Sequence, residues 1–84
     1  MEEKQIFEKL VDIIHETMPT TKEEVLTMDT VVNRDIGMDS MNFILVICKI
    51  EAAFEIHISD KRWMKLSTLG DLVRTVNESV EKTK

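Results

Sequence analysis

Ser40 is the residue of this 84-residue chain whose setting most suggests chemistry. It stands in Gly37-Met38-Asp39-Ser40-Met41, directly ahead of an apolar stretch that runs to Phe54. A serine nucleophile needs an adjacent base, itself oriented by a third group. His15 and His57 are the only histidines, nothing in the sequence places either beside Ser40, and no Gly-x-Ser-x-Gly elbow is present. Catalysis by this chain is not expected. Two other uses remain. The hydroxyl can cap a helix, a task Asp39 can perform instead. Or it can accept a phosphate-linked group, because a residue between a long loop and a helix start is accessible to another enzyme. Negative charge attached there meets free backbone N–H groups and the positive end of the helix dipole. This physics does not choose the group, and phosphorylation fits as well. Cys48 is the one cysteine, which excludes an internal disulfide and a Cys-rich zinc site. It reads as a small hydrophobe, and no metal site is predicted.

The elements that position Ser40 follow from periodicity. Ile6, Leu10, Ile13, Ile14 and Met18 recur at helical spacing, with Phe7 and Val11 alongside, and predict a helix over 2–17. Pro19 ends it, since the residue before proline avoids the α region. Residues 20–39 read as a long connection, with Thr21 and Glu24 as a small capping signal and a turn of helix over 22–26. Val25, Leu26, Met28, Val31, Val32 and Ile36 look like anchors that tie this loop over a core. Asp39 or Ser40 caps a second helix to Phe54, followed by a short extended link over 55–58. Ser59 or Asp60 starts a single turn through Trp63. Ser67 or Thr68 caps a last helix, with Asp71 placed for a capping box and Leu69, Leu72, Val73, Val76 and Val80 as its stripe. The expected fold is all-α: a small bundle of three main helices plus one short helix, with a long first loop. One domain is expected over 1–84, with a frayed tail from 81.

Composition narrows the function. A net charge of −5 argues against nonspecific nucleic-acid binding and favours partners with basic surfaces. No apolar run approaches the ~20 residues needed to span a bilayer, and no signal peptide is apparent. A monomer in the cytoplasm is expected.

Three segments in order resemble the acyl carrier protein family. Gly37-Met38-Asp39-Ser40-Met41 is similar to its Gly-x-Asp-Ser-Leu signature. Phe54-Glu55-Ile56-His57-Ile58 is similar to its Phe-Asp-Ile-x-Ile segment, and Leu66-Ser67-Thr68-Leu69-Gly70-Asp71-Leu72-Val73 to the start of its fourth helix. The resemblance implies a four-helix bundle and a carrier that is modified and used by enzymes, not an enzyme. It implies 4′-phosphopantetheine on Ser40, attached by a phosphopantetheinyl transferase from coenzyme A with Mg²⁺, and a thioester-bound acyl or aminoacyl cargo. Asp39 resembles the aspartate that supports modification. Implied partners are a loading ligase and synthase or transferase enzymes. The other readings are a noncovalent helical interaction module with Ser40 only a cap, and a regulatory domain phosphorylated at Ser40.

The second helix departs from fatty-acid carriers. Asn42 and Leu45 stand where acids are common in the family. One face carries Met41, Ile44, Leu45, Cys48 and Ala52, flanked by Glu51, and the other Phe43, Val46, Ile47, Ile50 and Phe54. Both cannot be core in so small a bundle. The resemblance turns the Phe43 face inward and makes Met41, Ile44, Leu45, Cys48 and Glu51 the docking set. The competing expectation is a fully buried helix covered by loop residues. Asp-Ser-Met and the apolar helix resemble carriers outside primary fatty-acid synthesis, such as D-alanyl, polyketide or nonribosomal peptide carriers. Trp63 and Met64 are expected to pack beside the short helix or to line an acyl-chain pocket.

Overall fold

Ile6, Leu10, Ile13 and Ile14 are all buried along one side of α1, which spans Glu3–Thr17. The computed structural model describes residues 2–83. Val46, Ile47 and Ile50 are buried on α3 (Ser40–Phe54). Leu69, Leu72, Val73 and Val76 are buried on α5 (Leu69–Thr83). These three stripes meet in one core, with Val32, Met38 and Ile58 contributed by the connections. α1 packs against both α3 and α5. Sealing α1 between two partners removes its apolar stripe from water, the main source of stability for helices of this length. Among the described residues, no helix is long and apolar enough to cross a membrane.

The chain leaves α1 at Met18, whose N–H reaches the Ile14 carbonyl at 2.7 Å. Pro19 opens a 3₁₀ turn over Pro19–Glu23 in place of the helical turn expected over 22–26. Thr21 does not form a capping box with Glu24. It is buried, and its hydroxyl donates to the Met18 carbonyl at 2.7 Å. A short helix, α2 (Val32–Asp35), was not expected from the sequence. The Asp35 carboxylate accepts the Val31 N–H at 2.8 Å and so closes this turn. That bond, with the adjacent Arg34 guanidinium, holds the Asp35 carboxyl below its usual range.

Backbone bonds clamp the loop to the start of α5. Val32 N–H donates to the Ser67 carbonyl, Leu69 N–H to Thr30 and Gly70 N–H to Met28. The last contact explains Gly70: a Cβ there would lie 2.9 Å from the Met28 oxygen. Of the expected anchors, Val32 is buried and Leu26, Met28 and Ile36 pack against the core. Val25 does not. It is 87% exposed.

α4 (Asp60–Trp63) starts as expected at Ser59, whose hydroxyl accepts the Arg62 N–H. At the start of α5, Thr68 Oγ1 accepts the Asp71 N–H at 3.0 Å, and the Asp71 carboxylate accepts the N–H groups of Ser67 and Thr68, both at 3.1 Å. This is the predicted capping box. α5 continues as helix through Glu81 and Lys82 to Thr83, where a frayed tail was expected. Lys84 lies outside the described residues.

Candidate functional site

Gly37 turns the chain toward α3 with φ +66°, a left-handed conformation open to glycine at no steric cost. Met38 then buries its side chain and donates its N–H to the Val32 carbonyl at 3.1 Å. Together these fix the residues ahead of α3. Asp39 is the N-cap: its Oδ1 accepts the Asn42 N–H at 2.8 Å, and its carbonyl accepts the Phe43 N–H at 2.9 Å. Ser40 is therefore the first residue inside the helix and not its cap. It is exposed, and among the described residues its hydroxyl has no hydrogen-bond partner.

A cleft of about 270 Å³ opens beside Ser40. Val32, Met38, Phe43, Trp63, Met64 and Leu66 supply its apolar lining, with Asn33, Asp39 and Ser40 itself. Neither histidine belongs to it. Phe43 and Trp63 meet with ring centroids 5.8 Å apart at 52°, a tilted contact of the kind aromatic rings favour. Trp63 packs on the core as expected, but Met64 does not. Met64, the C-cap of α4, is 73% exposed and borders the cleft from its open side.

The rest of α3 divides as the resemblance implied. Val46, Ile47 and Ile50 face the core with Phe43 and Phe54 at its edge. Met41 is 75% exposed, Leu45 50% and Ile44 45%, and Cys48 and Ala52 are exposed too. Among the described residues, no loop covers this side. Glu51 differs from its neighbours in the docking set. Its Oε2 accepts the Ile58 N–H at 2.8 Å and lies 3.2 Å from His57 Nδ1. The carboxylate thus holds the link between α3 and α4, with little of it left to face a partner. α3 ends at Glu55, which adopts a left-handed conformation with φ 53°.

Trp63 and Met64, which the sequence offered as the lining of a pocket, both border this cleft. Nothing in the spacing of Phe43 and Trp63 says that their two rings touch.

Residues 8–76 match the family model described as a phosphopantetheine attachment site. The chain belongs to the acyl carrier protein family. An acyl carrier protein of Guillardia theta is 35% identical over 80 residues, covering 95% of this chain and 98% of that protein. One from Clostridium perfringens is 31% identical over 77 residues, covering 92% of this chain and all of that protein. The crystal structure of an acyl carrier protein from Thermotoga maritima superposes with a TM-score of 0.87 at 26% identity, over 100% of this chain and 96% of that one. Acyl carrier proteins are carriers on which enzymes act, and they work with synthases and transferases. The long helices and the loop ahead of α3 are thus the frame of an acyl carrier protein, and the family is defined by the attachment of phosphopantetheine.

Proposed function

We propose that Ser40 carries 4′-phosphopantetheine and that this protein presents acyl or aminoacyl groups, held as thioesters on the arm, to biosynthetic enzymes. The observation that carries the reading is the division of labour between two neighbours. Asp39 caps α3, which leaves the Ser40 hydroxyl exposed and unengaged at the first helical position. A serine that only capped the helix would hold the bond that Asp39 holds, so the geometry disfavours a noncovalent module with a capping serine.

The residues fit the group. The N–H groups of Ser40 and Met41 have no intrahelical partner, as at any helix start, and a phosphodiester on Ser40 Oγ lies next to them. During attachment Ser40 Oγ forms the bond to phosphorus as the bond to the nucleotide leaving group breaks, and the serine proton passes to a base of the transferase. Once bound, the arm supplies a thiol whose thioester keeps the cargo carbonyl activated. The chain's own residues hold the attachment point rigid, and Asp39 places a carboxylate beside it where a transferase's Mg²⁺ can be met.

Met41, Ile44, Leu45 and Cys48 are read as the surface that partner enzymes meet. Exposed apolar stripes of this kind mark interaction sites. The lack of acids along the stripe supports a specialised carrier outside primary fatty-acid synthesis. Incubation with coenzyme A, Mg²⁺ and a broad-specificity phosphopantetheinyl transferase tests the reading. An intact-mass gain of one phosphopantetheine, absent in Ser40→Ala, is expected. No gain by a folded protein refutes it.

A further inference from the structure

The fold treats the methionines of the described residues unequally. Met38 is buried, and Met18 and Met28 pack against the core. Met41 and Met64 stand out in solvent, 75% and 73% exposed. Both border the attachment residue. Met41 follows Ser40 in the first turn of α3, and Met64 lines the cleft that opens beside Ser40. Met41 also stands where the signature Gly-x-Asp-Ser-Leu has leucine. Leucine would give a partner a similar apolar contact without a sulfur that can be oxidised. The neighbouring Ile44 and Leu45 carry no such sulfur.

Resting on the reading that Ser40 is the attachment residue, we propose that Met41 and Met64 are a reversible oxidation site that turns down the use of Ser40 by enzymes. The oxidant is a peroxide. A lone pair of methionine Sδ forms a bond to one oxygen of hydrogen peroxide as the O–O bond breaks. The other oxygen departs as water with both protons. The sulfur is oxidised by two electrons and the peroxide is reduced. A flexible apolar side chain thereby becomes a polar one whose new oxygen accepts hydrogen bonds. An enzyme that seats its reacting group at Ser40 Oγ covers Met41 and the mouth of the cleft, and strips water from both side chains. Stripping it from a sulfoxide, with no donor in its place, weakens docking about tenfold. Exposure confines the reaction to this pair, because Met38 meets peroxide only when the bundle opens. The fold is spared for the same reason: neither Met41 nor Met64 belongs to the core.

The test treats the full chain with hydrogen peroxide, removes the peroxide, and then adds a thiol reductant. The reductant returns a sulfenate or disulfide at the exposed Cys48 to the thiol and leaves methionine sulfoxide in place. Tandem mass spectrometry locates the added oxygens, and circular dichroism confirms the fold. Loading by a broad-specificity phosphopantetheinyl transferase with coenzyme A is then timed by intact mass. Sulfoxide is expected first at Met41 and Met64, with kcat/KM for loading reduced about tenfold, chiefly through a higher KM. Methionine sulfoxide reductases A and B restore the rate. The double variant Met41→Leu, Met64→Leu, compared with itself before and after peroxide, keeps its own rate. If the double variant does not fold, the reductase arm still decides. Unchanged kcat/KM in folded wild type that carries both sulfoxides overturns the switch. So does oxidation of Met38 as fast as of the exposed pair, or an equal loss of rate in the double variant. Failure of the untreated, folded wild type to load overturns the Ser40 reading and the switch with it.

Discussion

The Asp39 carboxylate, and not the neighbouring Ser40 hydroxyl, accepts the Asn42 N–H at the start of α3, at 2.8 Å. Capping and carriage are therefore separable by mutation. Ser40→Ala should change stability by no more than about 0.5 kcal/mol, as for other surface positions. Asp39→Ala should cost about 1 kcal/mol, the usual loss for a removed cap. Urea unfolding of both variants checks this, and a larger loss for Ser40→Ala than for Asp39→Ala contradicts the assignment.

Leu45→Glu should leave stability within about 0.5 kcal/mol, because Leu45 is half exposed on the side of α3 away from the core. It should weaken transfer to this carrier's own partner enzyme and improve use by fatty-acid-synthase enzymes. Partner binding by the wild type should lose little affinity as salt rises, since an apolar contact is not screened. Steep salt dependence would place recognition on acids elsewhere.

Asp71 makes the start of α5 sensitive to acid. Its carboxyl is held below the usual range, first by the Thr68 N–H, with Ser67 and Arg74 adding to that and partial burial opposing it. A carboxyl with a lower pKa folded than unfolded binds fewer protons when folded. Its contribution is thus full above the unfolded value of about 4 and is lost as pH falls through the depressed folded value. The stability gap between wild type and Asp71→Asn should therefore shrink as pH drops below about 4. A gap independent of pH would mean that the charge contributes nothing.

Glu55 is the one non-glycine residue with positive φ among those described. A side chain in that conformation costs roughly 1 kcal/mol or more, which glycine avoids. Glu55→Gly should raise the melting temperature without altering loading. An unchanged or lower value would show that the Glu55 side chain offsets the strain through contacts of its own.

Where apolar spacing is regular, the sequence alone sufficed: the stripes of α1 and α5 and the Ser59 and Asp71 caps stand where periodicity and capping chemistry put them. α2 was hidden because four residues cannot display a period, and its start depends on Asp35 reaching back to Val31. Val25 shows the complementary error. An apolar type in a loop does not reveal whether the backbone brings it to the core. Within the site, the motif marked Ser40 and Asp39, but two tertiary contacts were beyond it. Spacing cannot show that Phe43 meets Trp63, or that Glu51 turns to the Ile58 N–H.

The central claim is tested most directly on one peptide. Trypsin cuts after Arg34 and Lys49, and the fragment between them contains a single hydroxyl side chain, Ser40. After incubation with coenzyme A, Mg²⁺ and transferase, followed by reduction, tandem mass spectrometry of this fragment should show one phosphopantetheine, released on fragmentation from Ser40. A fragment that stays unmodified while the protein is folded and the transferase is active on a control carrier would contradict the account.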